Sequence, residues 1–349
     1  MLNCARNVCE ALPRGVSLLL RSGSYQPSRD GTVLVAPGPV TTEYLRPQER
    51  VLFARARNAN PFFHLFESMW MIAGRNDARW LDTYVRDFSS RYAEADGTQH
   101  GAYGHRWRVH FDRDQLQDAV RVLRADPNSR QAVIGMWDPA VDLGSVVRDR
   151  PCNLSLALRG RVRGGQRELD ITVFCRSNDI WMGAHGANAV HMSVLQEYLA
   201  AHLEWPVGRY WQVSNDYHIY VRDLGGLTRE TLSLLEDDRY SNGLVAPEEL
   251  FRDRHLGDLE DDLHQWFDCP HDPLAGYSDS RLFGGLLVPM AAAHRATRER
   301  EFALARAILT GQVAHTDWRM AAVEWVDRRQ VHWARKLESG KGQSVESEQ

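Results

Sequence analysis

Cys152, near the middle of the chain, has neighbours that suit a catalytic nucleophile. It follows a proline and lies two residues after Arg150. A thiolate attacks electrophilic carbon readily and also leaves readily, and a nearby cation lowers the pKa of a thiol. The pattern therefore predicts covalent catalysis by a thiol of lowered pKa. A small buried residue at the start of a strand is the alternative interpretation.

Two later stretches carry side chains that bind anions and hydroxyl groups. Arg176 and Ser177 stand where a predicted strand ends, and a guanidinium beside a hydroxyl suits a phosphate group. A surface ion pair is the alternative for these two residues. His218 and Tyr220 alternate along a predicted strand, so both side chains point to one face, where they can hydrogen-bond a sugar hydroxyl.

Other kinds of site find less support in the sequence. The chain has no GxGxxG or GxxxxGK[ST] phosphate loop and no HExxH or CxxC metal motif. Its five cysteines lack paired spacing, which is typical of a reducing cytoplasm and not of a disulfide framework. A cysteine hydrolase remains open, because triad members meet only in space. Its candidate bases are His185, His191 and His218.

Composition narrows the class of protein. Hydrophobic residues make up 43% and charged residues 25% of the 349 residues, as is ordinary for a soluble globular chain with a large core. The net charge of −4 argues against binding along a nucleic acid, so no nucleic-acid partner is expected. The apolar run at residues 16–20 is far shorter than the roughly 18 residues of a membrane span. We therefore expect no membrane segment and a cytoplasmic location.

The spacing of apolar residues and the positions of turn residues predict an α+β fold, built on a mixed or antiparallel sheet with packed helices. One domain is expected over residues 1–338, followed by a flexible, solvated tail over residues 339–349. Predicted strands follow a turn at residues 30–31 and cover residues 131–138, 153–160, 168–175 and 209–220. Predicted helices cover residues 61–74, 114–126, 187–203, 289–309 and 317–337.

Two of these predictions are specific enough to test. The strands at 153–160 and 168–175 are expected to pair in antiparallel fashion through a polar connection at residues 161–167. The helix at 187–203 is expected to be amphipathic. Glu67 lies within the apolar helix at 61–74, and taken alone it is interpreted as an exposed residue on a polar stripe.

Short stretches from about Arg29 to Tyr220, taken in order, resemble the thymidylate synthase family. The order is more specific than any one motif, and it favours functional roles for Cys152 and Glu67. Residues after about 221, predicted to be helical, match nothing in that pattern. The matching stretches are SRDG (28–31), NPFFHLFESMWMIAGRND (60–77), AYGHRWR (102–108), SRQAVIGMWDP (129–139), RPCN (150–153), CRSND (175–179), GAHGANAVHMSVLQEYLA (183–200) and NDYHIY (215–220).

The resemblance implies folate-dependent chemistry on a pyrimidine nucleoside monophosphate. Cys152 would attack C6, so that C5 captures a one-carbon unit from 5,10-methylenetetrahydrofolate as co-substrate, with no metal. It also implies a sheet-to-sheet homodimer. The implied roles are phosphate binding for Arg29, Arg130 (from the partner subunit), Arg176 and Ser177; sugar binding for His218 and Tyr220; base binding for Asn188; pterin binding for Asp179; and water ordering and proton transfer near C5 for Glu67 and Tyr103.

Departures from the family pattern favour its hydroxymethylase branch. Asn153 stands in place of the usual histidine, and Gln131 replaces the second arginine of a pair. A tryptophan that packs against the folate-derived intermediate in thymidylate synthases falls here at Phe88 or Ser89, and the apolar C-terminal peptide is missing. These features keep water from an exocyclic methylene group. Without them we expect water to add, activated by Glu67.

Several alternatives remain at this point. The hydroxymethylases that the chain resembles come from phages and from nucleoside-antibiotic pathways, so the host cytoplasm is a further possible location. A thymidylate synthase is the second candidate, and a catalytically inactive homologue that binds a nucleotide or an RNA is the third. Asn188 offers a donor and an acceptor, as synthases use for uracil. The segment GAHGAN is one residue longer than usual, which leaves dCMP and CMP open beside dUMP.

Overall fold

Two mixed β-sheets form the framework of the described residues, which are 1–251, 256–268 and 280–339 of a computed structural model. The strands, in chain order, are β1 (Leu2–Ala5), β2 (Ser24–Ser28), β3 (Gly31–Val35), β4 (Val40–Tyr44), β5 (Val133–Gly135), β6 (Asn153–Arg163), β7 (Gln166–Cys175), β8 (Asn178–Asp179), β9 (Val207–Ser214) and β10 (Tyr217–Tyr220).

Helices pack around this framework. In chain order they are α1 (Val8–Ser22), α2 (Pro61–Ile72), α3 (Ala78–Leu81), α4 (Phe88–Tyr92), α5 (Tyr103–Arg108), α6 (Gln115–Ala125), α7 (Pro139–Asp142), α8 (Asn188–Leu203), α9 (Val221–Leu224), α10 (Leu256–Asp268), α11 (Val288–Arg298), α12 (Phe302–Gln312) and α13 (Thr316–Glu338). The predicted α+β class with a mixed sheet is confirmed.

The larger sheet has six strands in the order β1-β4-β9-β7-β6-β5. Its β1/β4 and β9/β7 pairs are parallel, and the other neighbours are antiparallel. The smaller sheet has the order β2-β3-β10-β8, with β10 and β8 parallel. The adjacent strands β7 and β9 leave the larger sheet together and continue into the smaller one as β8 and β10. Residues at this junction therefore meet from both sheets.

The predicted hairpin is present, with longer strands than expected. β6 and β7 pair from Asn153 to Arg163, and the connection shrinks to Gly164 and Gly165, both with positive φ. Glycine adopts that backbone conformation without steric cost, which explains the tight turn. The single strand predicted at 209–220 is wrong, since the chain divides it between β9 and β10 in different sheets.

Helix α2 begins and ends as its sequence predicts. Asn60 caps it by accepting a hydrogen bond from the Phe63 N–H, and Pro61 occupies the first helical position. Gly74 follows its end with a φ of 71°. The helix predicted over 289–309 is instead divided into α11 and α12, because Arg300 takes a φ of 68° between them.

The amphipathic character predicted for α8 is wrong. From Asn188 to Ala200 its side chains are buried, because the helix lies against β7 and β9 on one side and α2 and α6 on the other. A helix enclosed on all sides has no polar stripe. The preceding segment, Ile180–Ala187, is an irregular helical turn that breaks at His185 and Gly186.

The N-terminal elements β1 and α1 were not predicted from the sequence. Asn7 caps α1, and Leu12, Val16 and Leu19 on its inner face are fully buried. Pro13 lies inside this helix and interrupts the pattern by which helices are recognised.

Helices α10, α11 and α13 pack against α2. Phe62 of α2 lies 5.2 Å from the Trp325 ring of α13, and Phe66 lies 5.4 Å from the Trp266 ring of α10. None of the described helices is both long and apolar enough to cross a membrane. Of the predicted tail, residues 340–349 lie outside the described part.

A buried ion pair ties α5 to the chain that leads to Cys152. The Arg106 guanidinium donates to both carboxylate oxygens of Asp142 at 2.7 and 2.9 Å, and neither side chain is more than 1% exposed. Arg106 also donates to the carbonyls of Met136 and His100. The pair fixes α5 relative to β5 and α7.

Removing Asp142 should destabilise the fold strongly. Asp142→Ala leaves the Arg106 charge buried without its partner, so we expect the free energy of unfolding to fall by about 3–5 kcal/mol in urea denaturation. The control is Asp327→Ala, whose carboxylate is 54% exposed and pairs with Arg306 at the surface. That change should cost less than about 1 kcal/mol. Equal losses in the two variants would contradict the structural role given to Asp142.

Candidate active site

Cys152 lies at the junction of the two sheets, one residue before β6. Its N–H donates to the Tyr103 hydroxyl at 3.2 Å, and its carbonyl accepts from the Arg176 N–H at 2.9 Å. The Arg176 guanidinium reaches back so that Nη2 lies 3.7 Å from Cys152 Sγ. The thiol is thus held between α5 and the end of β7, with a cation at hydrogen-bonding range.

The cation beside the thiol is not the predicted one. Arg150 donates to Ser145 Oγ at 3.3 Å, whereas Arg176 contacts the sulfur. The predicted lowered pKa is also wrong for the free protein. Burial raises the pKa of the Cys152 thiol, the Arg176 charge opposes this, and the charge of Asp149 adds to it. Arg176 is therefore the group that favours the thiolate.

Arg176 is fixed by the nucleophile turn itself. Its Nε donates to the Pro151 carbonyl at 2.8 Å and its Nη2 to the Arg150 carbonyl at 3.1 Å. The guanidinium lies 5.8 Å from the centre of the Trp137 ring. Ser177 follows it, half-buried, between β7 and β8. A preorganised guanidinium beside a hydroxyl can bind a phosphate without losing much conformational freedom.

A row of buried amides leads from the thiol into the core. Asn153 donates to Asn188 Oδ1 at 3.4 Å, and its own Oδ1 accepts from the Cys175 thiol. Asn188 Nδ2 donates to Asn178 Oδ1 at 3.2 Å, and Asn178 in turn donates to Gln212 Oε1 at 2.8 Å. The row fixes the orientation of the Asn188 amide, which keeps one N–H and one acceptor site for a ligand.

His218 and Asp179 face each other across β8 and β10. The register pairs His218 with Asp179, and His218 Nδ1 lies 2.5 Å from Asp216 Oδ1. With the Nδ1 proton donated to Asp216, Nε2 remains an acceptor for a hydroxyl group. Asp179 accepts from the N–H groups of Trp181 and Met182, and burial raises the pKa of its carboxyl. Both side chains lie close to the sheet junction.

Arg29 and Arg130, the other two arginines expected to bind phosphate, are exposed. Arg29 stands in the turn between β2 and β3 beside Asp30, and its charge, like that of Arg176, opposes the rise that burial causes in the pKa of the Cys152 thiol. Tyr220, on the neighbouring strand, has the Arg222 guanidinium 4.2 Å from its ring centre. Arg130 lies just before β5, and among the described residues it hydrogen-bonds none of the other site residues.

Glu67 is not the exposed residue that its helix position alone suggests. Its side chain is only 13% exposed, and Oε2 lies 3.1 Å from His191 Nε2. The two atoms form no hydrogen bond, so this is a close contact only. His191 stands one turn after Asn188 on α8. The helix pair α2 and α8 thereby brings Glu67 to the amide row.

The histidines considered for a cysteine hydrolase have other partners. His185 lies between the Tyr44 and Tyr217 hydroxyls at 2.8 and 2.6 Å, and burial lowers its pKa to about 3. His191 contacts Glu67 and His218 bonds Asp216. No hydrogen bond joins any of the three to Cys152 within the described ranges, so the triad alternative has no geometric support.

Two residues of the site were missed in the sequence. Asp149 lies three residues before Cys152, and burial raises the pKa of its carboxyl. Arg57 is buried, donates to the Trp181 carbonyl at 2.6 Å, and lies 5.7 Å from that ring. The signals available were the charged run at 148–150 and the repeated arginines at 50–57. Both runs resemble solvated loops when read alone.

Within the described ranges, His, Cys, Asp and Glu side chains form no group of three or more that could hold a metal ion. The side chains described above are a thiol, arginines, amides, carboxyls, a histidine and tyrosines. These are groups that bind a phosphorylated, hydrogen-bonding ligand and attack it covalently.

Comparison with known proteins places this geometry in a family. The thymidylate synthase family profile matches residues 15–256. A deoxyuridylate hydroxymethyltransferase of Pseudomonas phage M6 is 40% identical over 355 aligned positions, which cover 96% of this chain and 97% of that protein. Another deoxyuridylate hydroxymethyltransferase, of Bacillus phage SP01, is 34% identical over 58% of this chain and 57% of its own length.

A more distant relative carries a different name. A putative thymidylate synthase of Methanothermobacter thermautotrophicus is 37% identical over 40% of this chain and 61% of its own length. The similarity to the phage M6 protein extends beyond the family profile into the C-terminal third. Given the match over residues 15–256 and the relative that shares almost its full length, the chain belongs to the thymidylate synthase family.

Proposed function

We propose that the chain is a deoxyuridylate hydroxymethylase, which transfers a one-carbon unit from 5,10-methylenetetrahydrofolate to C5 of dUMP. The observation that carries the proposal is the Cys152 thiol held 3.7 Å from Arg176 beside the amide row of Asn153 and Asn188. The full-length similarity to a protein named for this reaction supports it.

The reaction begins at the thiol. Cys152 attacks C6 of the pyrimidine, which makes C5 nucleophilic, and Arg176 stabilises the thiolate before attack and after release. Tyr103 fixes the nucleophile turn, since its hydroxyl accepts from the N–H groups of Cys152 and Asn153. Its position also suits proton transfer near C5. Glu67 activates the water that completes the hydroxymethyl group.

Uracil fits the Asn188 amide better than cytosine does. Because one N–H of Asn188 is donated to Asn178, the amide cannot rotate without losing that bond. Its remaining N–H and its oxygen then match O4 and N3–H of uracil. Cytosine reverses the donor and the acceptor at these two atoms. The sugar hydroxyl is bound by His218 and Tyr220, both on β10.

Folate has a suitable binding region beside the nucleotide. Asp179 is a half-buried carboxyl that can accept N–H groups of a pterin, and Trp181 with Arg57 offers an aromatic ring and a cation next to it. The bound folate supplies a one-carbon unit at the oxidation level of formaldehyde.

In this proposal, water reaches the exocyclic methylene group because Phe88 or Ser89 stands where synthases have a shielding tryptophan. Phe88 packs against Phe63 and Tyr92 with ring centres 5.8 and 4.8 Å apart. Ser89 turns toward Asp82, with N–H and hydroxyl bonds of 2.8 and 2.6 Å. Neither side chain offers an indole to shield an exocyclic methylene. The structure thus supports hydroxymethylation over methylation.

A sheet-to-sheet homodimer completes the phosphate site in this proposal. The outer face of the larger sheet exposes Val133 and Phe174, at 56% and 40%, with Trp211 and Val213 half-buried beside them. An apolar sheet face of this kind suits a second copy. Arg130 lies three residues before Val133 at the same end, which suits delivery of its guanidinium to the partner's phosphate. Each subunit is one domain over residues 1–338.

The direct test of the function is product analysis. The pure protein is incubated with 5,10-methylenetetrahydrofolate and, separately, dUMP, dCMP or CMP, and each nucleotide is analysed by mass spectrometry. We expect a hydroxymethyl group on dUMP without the absorbance rise that dihydrofolate causes. A methyl group on dUMP with that rise would identify a thymidylate synthase. An unchanged nucleotide in every assay would favour an inactive binding homologue.

Cys152→Ala should abolish turnover without abolishing binding. The variant keeps the backbone bonds to Tyr103 and Arg176 but has no nucleophile. We therefore expect no product and no tritium release from dUMP labelled at C5, with dUMP still bound in calorimetry. Cys4→Ala, outside the site, serves as the matched control. Tritium release at the unmodified rate from the Cys152 variant would contradict the covalent role.

Arg176→Ala should weaken binding of the phosphate more than binding of the nucleoside. Loss of a charge-assisted contact of about 1.5–3 kcal/mol predicts a Kd for dUMP that rises roughly 10- to 150-fold. Deoxyuridine affinity should change little. Arg121→Ala, an exposed arginine of α6, is the control. Unchanged dUMP affinity in the Arg176 variant would place the phosphate elsewhere.

A further inference from the structure

Besides Glu67 and Asp179, the site contains a third carboxyl, that of Asp149, three residues before Cys152. Asp149 Oδ2 accepts a hydrogen bond of 2.8 Å from Gln99 Nε2, across a separation of 50 residues. A Cβ atom at Gly101 would lie 2.6 Å from that oxygen and 3.2 Å from the Pro151 nitrogen. A residue other than glycine at 101 would therefore displace the carboxyl. The segment before α5 forms a close-fitting cradle for Asp149.

The charge of Asp149 acts on the reacting groups. Burial raises the pKa of the Cys152 thiol and of the Tyr103 hydroxyl, and the Asp149 charge adds to the rise in both. The Glu67 charge in turn raises the pKa of Asp149, in addition to the effect of burial. A carboxylate of raised pKa is a stronger base than an exposed aspartate. The two carboxyls thus share one electrostatic environment with the nucleophile.

The cradle also leaves a hydrogen-bond acceptor unused. Gln99 Oε1 is buried, and no donor among the described residues reaches it. Buried polar atoms are normally paired, so this oxygen calls for a donor from a ligand or a water molecule. Asp149 and Gln99 Oε1 together offer acceptors only. A water molecule bound there donates its hydrogens and directs a lone pair away, toward an electrophile.

We propose that Asp149 is a catalytic carboxyl that binds the water adding to the exocyclic methylene group and takes its proton. The inference rests on the proposed function and divides the work on the water between two carboxyls: Glu67 orients the water, and Asp149 accepts its proton. Glu67 and Asp149 approach the same water from α2 and from the nucleophile turn. With the water held in this way, it adds to the methylene carbon before a hydride from folate can reduce that carbon.

Addition of water to the methylene group needs no oxidant or reductant. The water oxygen bonds to the methylene carbon, and the π-electron pair of the exocyclic bond moves through C5 onto O4. One water proton passes to the Asp149 carboxylate. The enolate then restores the C5–C6 double bond and expels the Cys152 thiolate. The products are the 5-hydroxymethyl nucleotide, the free thiolate and a protonated Asp149 that later releases its proton to solvent.

The test measures how much hydroxymethyl product forms for each C5 hydrogen that is lost. Asp149→Asn is assayed with dUMP labelled with tritium at C5, and tritium release is compared with hydroxymethyl product. We expect hydroxymethyl product per tritium released to fall at least roughly 10-fold, since a positioned base contributes 10²–10⁴-fold. With 2-mercaptoethanol present, a thioether on the methylene carbon should increase. Asp149→Ser should show the same fall in hydroxymethyl product per tritium released.

The control is Asp96→Asn, which makes the same change at an exposed aspartate of the preceding loop. It should keep the unmodified ratio of product to tritium. An unchanged ratio in both Asp149 variants would overturn the inference, and so would a parallel loss of tritium release and product. A wild-type protein that releases tritium but makes no hydroxymethyl product would instead refute the proposed function, and this inference with it.

Discussion

The site depends on the way two neighbouring strands change sheets together. β7 and β9 are parallel neighbours in the larger sheet, and they re-pair as β8 and β10 in the smaller one. At the end of the larger sheet Ser214 lies opposite Cys175, and two residues later β8 begins at Asn178. The Arg176 N–H donates to the Cys152 carbonyl, and the Asn178 N–H donates to the Asp216 carbonyl. Backbone hydrogen bonding therefore continues from the larger sheet into the smaller one. The nucleophile is therefore positioned by main-chain pairing, which is more rigid than a free loop.

Burial at this junction sets the electrostatics. Desolvation raises the pKa of the Cys152 thiol and of the carboxyls of Asp149 and Asp179, so each charged form needs a partner. Arg176 provides that partner for the thiolate. The buried amides avoid the cost of unsatisfied polar groups by bonding one another from Asn153 to Gln212. A site made in this way favours binding of a polar ligand whose own groups complete the hydrogen bonds.

Local elements were predicted well because their causes are local. The cap at Asn60, which begins α2 together with Pro61, is a contact between residues three apart. The Gly164–Gly165 turn likewise follows from backbone sterics. Elements whose stability comes from distant packing were missed or misread. α1 is stabilised by burial against the sheets despite Pro13, and α8 has no polar side because helices and strands enclose it.

The sequence by itself determined the order of reactive groups, the helix caps, the hairpin and the family to which the chain belongs. Only the tertiary structure decided that Arg176, and not Arg150, lies beside the Cys152 sulfur, and that burial raises the thiol pKa. It also brought Glu67 to His191 and Asp149 to Gln99. The physical reason is separation along the chain. Caps and turns join residues a few positions apart, whereas partners and pKa values depend on contacts such as Arg176 with Cys152, 24 residues apart, and Cys152 with Tyr103, 49 residues apart.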